Sequence, residues 1–258
     1  MGKWAVDMEL SAFLTAQILS FVVVFARIGS VFLFIPGFGE TSIPVRYRLA
    51  LALLLSIALA PAVLTNPVSI ATPTQLLSTL ATEITLGLWF GLTARIILSA
   101  LDFAGYQIGM MASLANALSP NVGAFEGATL VASTLMLAGT ALIFATDLHH
   151  VIIGALIRSY EVFPVGRLMP GDLAEQMIAA AATSFYVGIS IVAPFYVLSV
   201  VLQVGLGLAN RLMPTMPVFF VAMPVLLGSG LIVLAVAAPS LLAGVHEALA
   251  EWLGTLRF

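Results

Sequence analysis

The chain has 258 residues, of which 61% are hydrophobic and only 8% charged, and its formal net charge is −3. A soluble domain carries about 25% charged residues, and its interior could not bury so large an apolar fraction. These values predict an integral membrane protein and disfavour nucleic acid as a partner, and the absence of cysteine excludes disulfides and thiolate metal sites.

Long apolar segments divide the chain, and each is compared with the roughly 20 residues that cross a bilayer as a helix. Six of them cover residues 10–35, 49–64, 76–101, 127–157, 177–209 and 219–239. The connectors 36–48 and 163–176 are rich in proline and glycine and predict turns. We therefore predict one all-α membrane domain over residues 1–258, with the fifth segment broken at its proline. Kinks are expected at Pro194, Pro214, Pro217 and Pro224.

Charged side chains lie inside the first and third apolar segments. A charge at membrane depth is costly and usually faces a partner or water. Arg27 either extends to the membrane interface or forms a buried pair with Glu83 or another carboxylate. Glu83 and Arg95 share roughly one helix face but lie too far apart to touch, so each should contact another segment. We interpret these three residues and Arg211 as structural charges that support assembly.

The region 102–126 is too apolar for a loop in water and too rich in glycine and proline for a regular span. Irregular backbone at membrane depth is tolerated only where it is buried in protein or lines a cavity. Methionines can fill an irregular lumen, glycines add backbone freedom and Pro120 stops helix propagation. This composition suits a segment that fills a cavity, with a half-buried packed helix as the alternative.

Glycines at four-residue spacing recur along the chain. Such pairs let helices approach closely in lipid. They predict tight packing against other helices, including helices of other chains. The pairs are Gly87/Gly91, Gly105/Gly109 and Gly123/Gly127.

The sequence TDLHHV, residues 146–151, resembles a metal or proton site within the fourth segment. Asp147 and His150 are neighbours on a helix, but zinc requires three or four ligands. A metal site, a proton relay and a structural cluster stay open for it. The pair His246-Glu247 lacks the second histidine of HExxH, and we see no serine elbow or phosphate loop. We therefore assign no catalytic, metal-binding or cofactor-binding residue and predict that the protein is not an enzyme.

Three blocks of the sequence resemble the FliR family, the export-gate component of flagellar type III secretion. The late block RLMPTMPVFFVAMPVLLGSGLIVL, residues 211–234, carries the family's pattern, although Thr215 and Pro217 replace its usual Gln and Asn. Residues 25–61 are similar to the family's first helical pair, and residues 104–120 to its internal plug, with Ser119 before Pro120 where the family has Asp. The second likeness implies a pore plug, with Gln107, Gly109, Met110, Met111, Leu114 and Pro120 as its candidate residues. The matching positions include Arg27, Pro36, Pro44, Arg46, Arg48, Gln107, Gly109, Arg211, Pro214, Met216, Phe219 and Pro224.

The resemblance implies a partner set and a location. In that family, kinked helical hairpins assemble with several FliP-like and FliQ-like chains into a closed cone at the flagellar basal body. The location is the bacterial inner membrane, but much of the cone lies above the ordinary bilayer plane, although hydropathy predicts spans. A FlhB-like subunit docks outside it, and unfolded export substrates pass through its channel. The alternative function is a small proton-coupled secondary transporter that uses Glu83, Asp147 and His150. Transporters often show inverted repeats, which are not evident in this sequence.

Overall fold

The structure is a computed structural model that describes residues 2–40, 43–63, 72–112, 126–212 and 218–255. All regular structure in these ranges is helical, as the sequence predicts. Turns and short extended stretches connect the helices within them. The helices are α1 (Gly2–Phe34), α2 (Val45–Val63), α3 (Pro73–Met111), α4 (Glu126–Ala145), α5 (Leu148–Val162), α6 (Pro170–Leu212) and α7 (Val218–Thr255).

Five of these helices are long and apolar enough to cross a membrane. The qualifying stretches are Leu14–Phe34, Val45–Val63, Pro73–Met111, Pro170–Leu212 and Ala222–Thr255. If α4 and α5 are counted together as one broken span, the total rises to six. The all-helical membrane fold predicted from the apolar segments is therefore confirmed for the described residues.

Helix α3 runs farther than the sequence predicts. The third apolar segment was expected to end at residue 101, yet the helix continues to Met111 through Gly105 and Gly109. A Cβ on Gly105 would collide with the backbone of Ala132, so this glycine permits close contact with α4. That contact compensates for the low helix propensity of glycine. The irregular backbone predicted for 102–126 is thus wrong for residues 102–111, while 113–125 lie outside the described residues.

Three prolines lie inside the last two helices without ending them. Pro194 lies inside α6, and Pro224 and Pro239 lie inside α7. Proline removes one helical hydrogen bond, but membrane helices tolerate this where neighbouring groups satisfy the freed carbonyl. The predicted break at Pro194 is therefore wrong, because α6 is continuous there. The proposed kinks stay a prediction, and Pro214 and Pro217 lie outside the described residues.

The fourth predicted segment is two helices. Helix α4 ends at Ala145 and α5 begins at Leu148, with Asp147 between them at φ 57° and ψ 15°. This left-handed conformation is uncommon outside glycine, and aspartate is one of the residues that adopt it. A single residue of this hand stops the right-handed helix. The apolar composition of residues 127–157 conceals the interruption.

The helices form two compact units, and the chain enters each more than once. The first unit contains Met1–Arg95, Asp147–Ala179 and Glu251–Phe258, and the second contains Ile96–Thr146 and Ala180–Ala250. Helices α3, α6 and α7 each contribute residues to both units. The single-domain organisation over the whole chain stays a prediction.

In the first unit, α1 packs on α3 through glycines. A Cβ on Gly87 would collide with the carbonyl oxygen of Arg27, and one on Gly91 would lie 2.8 Å from the Val31 carbonyl oxygen. The first predicted glycine pair therefore does bring two helices together. Trp252 closes the same core, with its ring centroid 6.2 Å from that of Trp89. Its ring also lies 5.4 Å from that of Phe90.

In the second unit, the end of α3 contacts α4, α6 and α7. Gly105 meets Ala132 of α4, and Ala112 occupies the space beside Gly230 of α7. On α6, a Cβ at Gly188 would lie 2.9 Å from the ring of Phe103. Small residues thus determine how closely these helices approach, as in other membrane bundles.

Candidate functional site

A buried ion pair lies in the first unit. Arg27 Nε donates to Glu83 Oε2 at 2.6 Å, and Arg27 Nη2 donates to Glu83 Oε1 at 3.1 Å. The two side chains are only 2% and 0% exposed. This forked geometry is the strong form of the arginine–carboxylate interaction. Of the two arrangements left open for Arg27, the structure shows the buried pair.

The rest of the Arg27 guanidinium caps the end of α5. Nη1 donates to the Ser159 carbonyl oxygen at 3.0 Å, and Nη2 donates to the Phe163 carbonyl oxygen at 2.9 Å. The Ser159 carbonyl oxygen also accepts the Phe163 N–H at 2.9 Å. Carbonyls at a helix C-terminus carry partial negative charge, so a cation there is favourable. The guanidinium carbon also lies 3.9 Å from the ring centroid of Tyr160. All three guanidinium nitrogens of Arg27 and one face of the group therefore have partners within the chain.

Glu83 likewise has a second partner. Its Oε1 accepts a hydrogen bond from the Gly166 N–H at 3.1 Å. Gly166 has φ 77°, a value that glycine adopts at little cost. Nearby, Trp89 Nε1 donates to the Leu173 carbonyl oxygen at 2.8 Å. Together these bonds tie α1, α3, α5 and the start of α6 into the buried polar cluster, by which we mean Arg27, Glu83, Ser159, Phe163 and Gly166.

Arg95 pairs with the connector between α1 and α2. Its Nη1 and Nη2 lie 3.1 and 3.4 Å from the two Glu40 carboxylate oxygens. These side chains are 33% and 20% exposed, so this pair is more hydrated than the buried one. Glu83 and Arg95 thus each contact another segment, as expected. Sequence reasoning missed Glu40, although a lone acid in a glycine-rich connector was its available signal.

All three members of the cluster that sequence reasoning missed act through their backbone. The carbonyls of Ser159 and Phe163 accept from Arg27, and the Gly166 N–H donates to Glu83. Residue type carries no information about which carbonyl or N–H faces a charge. The one available signal was Gly166 in the Pro-Val-Gly turn, because glycine readily adopts the positive φ observed at this position.

The described plug candidates lie at the packed end of α3 in the second unit. Gln107 Nε2 donates to Tyr196 Oη at 2.7 Å. Gly109 is buried, and Met110 and Met111 are half-buried. These four positions therefore belong to a helix held by its neighbours. Leu114 and Pro120 lie outside the described residues.

The acid and histidine cluster lies on the surface of the first unit. His150 Nδ1 is 3.5 Å from Asp147 Oδ1, and these side chains are 70% and 79% exposed. Donor atoms of Asp147, His149 and His150 lie within 4.8 Å of one another. Zinc sites need three or four such ligands, and this cluster supplies three candidates on the surface. The three interpretations of this cluster stay open.

The structure also locates His246 and Arg211, which the sequence analysis had singled out. His246 is buried in the second unit, with Nε2 at 3.0 Å from the Gly139 carbonyl oxygen and Nδ1 at 2.7 Å from that of Leu242. A main-chain carbonyl oxygen therefore lies beside each ring nitrogen. Arg211 is exposed in the last turn of α6, and its structural role stays a prediction.

The sequence of this chain matches one family of known proteins. Residues 18–252 match Bacterial export proteins, family 1. Flagellar biosynthetic protein FliR of Caulobacter vibrioides is 38% identical over 231 residues, which cover 87% of this chain and 92% of that protein. FliR of Aquifex aeolicus is 29% identical over 228 residues, 88% of this chain and 86% of that protein. Yop proteins translocation protein T of Yersinia pestis is 25% identical over 217 residues, 81% of each chain.

The helical membrane fold and the match along nearly its whole length define a bacterial export protein. Within that class, the chain belongs to the FliR family. The resemblance seen in the three sequence blocks is therefore confirmed. Arg27, Glu83 and Arg95 all fall inside the matched range.

Proposed function

We propose that this chain is a non-enzymatic subunit of the type III protein export gate of the bacterial flagellum. The observation that carries the proposal is the match to FliR of Caulobacter vibrioides over nearly the whole of both proteins. Identity to that flagellar protein is 38%, against 25% to the Yop translocation protein, which favours the flagellar apparatus. The gate would lie in the bacterial inner membrane at the flagellar basal body.

Unburied apolar helix faces support assembly with other membrane chains. Only 11% of the span in α2 and 28% of that in α6 is buried within the chain, against 61% in α3. Apolar side chains that the chain itself does not cover require lipid or neighbouring helices. FliP-like and FliQ-like subunits, with a FlhB-like subunit outside, are the proposed neighbours. Exposed examples on α6 are Val197, Val200, Val201, Val204 and Leu208.

The charges of the buried cluster support a structural role. Both Glu83 oxygens and the Arg27 guanidinium are engaged by partners in the chain. A carboxylate that carries protons for a transporter must exchange them with water, and Glu83 is 0% exposed. The secondary-transporter alternative therefore gains no support from this site.

We place the proposed plug after Ala112. Residues up to Ala112 are held by α4, α6 and α7, and Gln107 is tied to Tyr196. A helix end fixed in this way is a firm anchor for a segment that must move when substrate passes. Leu114 and Pro120 stay the proposed plug residues, while Gln107, Gly109, Met110 and Met111 become the base that positions them.

The experiment is co-expression of this chain with its FliP-like and FliQ-like partners, followed by purification and export assays. We expect one complex that contains all three chains, and restored secretion of export substrates in a strain that lacks this gene. Complex formation without restored secretion would contradict the export function, and a stable isolated chain would contradict the assembly.

Deleting residues 113–117 tests the plug within the same complex. Assembly should stay near the level of the parent complex, because α3 and its contacts are intact, and the membrane should leak small ions. The matched control is Gly244→Ala on α7, where an added Cβ meets nothing within 4 Å in the described structure. Lost assembly without leak would show that the segment is a packing element.

A further inference from the structure

A groove lies between α1 and α2 in the first unit, and the proposed export function assigns it no ligand. Its volume is about 470 Å³. Its walls are apolar apart from Ser30 and one arginine, Arg48. Much of the wall is open at the surface, since Val45, Leu33 and Leu49 are each at least half exposed.

Arg48 adds a positive charge to the wall of this otherwise largely apolar groove. Its Nε atom is buried and has no hydrogen-bond partner among the described residues. The ion pairs of the described structure include neither Arg48 nor Arg46, which lies two residues earlier on the same helix. The Arg46 guanidinium lies 5.1 Å from the ring centroid of Tyr47. Two guanidinium groups therefore lack a carboxylate counterion in the part of the chain that the structure describes.

The position of these arginines along α2 suits contact with a lipid headgroup. They lie in the first turn of α2, immediately before the apolar run that begins at Leu49. In a spanning helix this is the boundary between hydrocarbon and headgroups, where basic side chains meet lipid phosphates. Because little of α2 is buried in the chain, the groove opens toward the surroundings of that helix.

The size of the groove favours a hydrocarbon chain over a protein helix. An α-helix with its side chains is about 10–12 Å wide, so this volume would hold only about one turn. An extended acyl chain is much narrower and can lie along apolar walls. We propose that the groove binds an anionic glycerophospholipid, with an acyl chain between α1 and α2 and the phosphate on Arg48. The guanidinium fork suits a phosphate, and Arg46 adds positive charge nearby.

The test uses the full chain assembled with its partners in membranes that contain a photoactivatable phosphatidylglycerol. The reactive group is in the acyl chain, and a phosphatidylcholine with the same acyl chain is the matched probe. We expect labelling of Gly29, Leu33 and Ala52, at about five times the yield for phosphatidylglycerol. This ratio corresponds to the about 1 kcal/mol that one basic side chain contributes at an anionic surface.

Three variants separate the contributions to binding. Arg48→Gln should lower phosphatidylglycerol labelling to the phosphatidylcholine level, and Leu49→Trp should lower both by filling the groove. Arg158→Gln is the control, because its Nε is also buried without a described partner but lies on α5 outside the groove. It should leave the labelling unchanged. Leu49 is half exposed, so its replacement tests the groove even if Arg48→Gln does not fold.

Other results would overturn the proposal. Equal labelling by the two lipids, or full labelling of both Arg48→Gln and Leu49→Trp, would exclude a headgroup-selective site. Suppression by inorganic phosphate at low concentration would identify a free-anion site instead of a lipid. Crosslinks from groove positions to a partner subunit in place of lipid would identify a protein occupant. All of these readouts are independent of secretion, so they stand apart from the test of the export function.

Discussion

The two units of this chain differ in their buried polar groups, although glycine contacts occur in both. The first buries a complete ion pair, Arg27 with Glu83, and satisfies it with backbone groups. In the described part of the second, the buried polar side chains are two serines and His246, and helix contacts depend on glycines. One apolar chain therefore uses both known means of holding helices together in lipid, directed polar bonds and close small-residue packing.

The difference determines how each unit should fail. A buried ion pair is all or none, because removal of one partner leaves the other charged and without compensation. A glycine contact is graded, because each added atom pushes the helices further apart. Changes of similar size in sequence should therefore have larger effects in the first unit.

The largest effect is expected for Glu83→Ala. This change leaves the Arg27 guanidinium buried without its carboxylate, at a cost of about 3–5 kcal/mol. We expect most of the purified complex to be lost, measured by yield and by the apparent melting temperature in detergent. Glu175→Ala, an exposed carboxylate of the same unit, should change stability by no more than about 0.5 kcal/mol. Near-normal melting of Glu83→Ala would mean that the pair does not stabilise the unit.

The second-largest loss of stability is expected for Gly105→Ala in the second unit. Its new methyl group would overlap the Ala132 backbone, and overpacking of this kind costs about 1–3 kcal/mol. Gly244→Ala on α7, where an added Cβ meets nothing within 4 Å, should instead be neutral or stabilise α7 by up to about 1 kcal/mol, since alanine is the better helix former. Melting of the two variants under the same detergent checks this. Equal shifts for both would refute the close-contact explanation.

A smaller effect is expected for Trp89→Phe. The ring remains beside Phe163 and Trp252, but the N–H that donates to the Leu173 carbonyl oxygen is lost. One hydrogen bond of this kind contributes about 0.5–1.5 kcal/mol. Trp252→Phe is a matched control, because Trp252 Nε1 is buried without a hydrogen-bond partner among the described residues. Trp89→Phe should lower the melting temperature more than Trp252→Phe, and the reverse order would contradict the assignment.

The smallest effect is expected for Glu40→Gln at the partly exposed pair. Such pairs contribute up to about 1 kcal/mol and weaken with salt. The melting difference from the parent should therefore shrink as sodium chloride is raised, whereas the Glu83→Ala difference should persist. A salt-independent loss at Glu40 would show that this pair is more deeply desolvated than its exposure indicates.

The sequence predicted the parts of this structure that depend on side-chain type. Charge frequency and apolar length were sufficient for a helical membrane protein, and the cost of isolated charges led to the Arg27–Glu83 possibility. The glycine pair Gly87/Gly91 likewise predicted a close helix contact. Each of these follows from what one residue can tolerate in an apolar environment.

Other features depend on partners that the sequence does not identify. The extension of α3 to Met111 requires the Gly105 contact with α4, and the continuity of α6 at Pro194 requires neighbours that accept a missing hydrogen bond. The helix break at Asp147 results from one backbone torsion within an apolar stretch. The acceptors of Arg27 on α5 are main-chain carbonyls, which every residue type possesses.

The position of Trp252 has a consequence for how the protein is made. Its ring closes the core around Trp89 and Phe90, residues that the ribosome delivers long before it reaches codon 252. The core around Trp89 and Phe90 therefore stays incomplete until translation has nearly finished and Trp252 can pack against it. Incomplete chains of this type expose apolar surface and are prone to misassembly. A stop codon placed just before Trp252 should thus damage the first helices synthesised and mark the nascent protein for degradation.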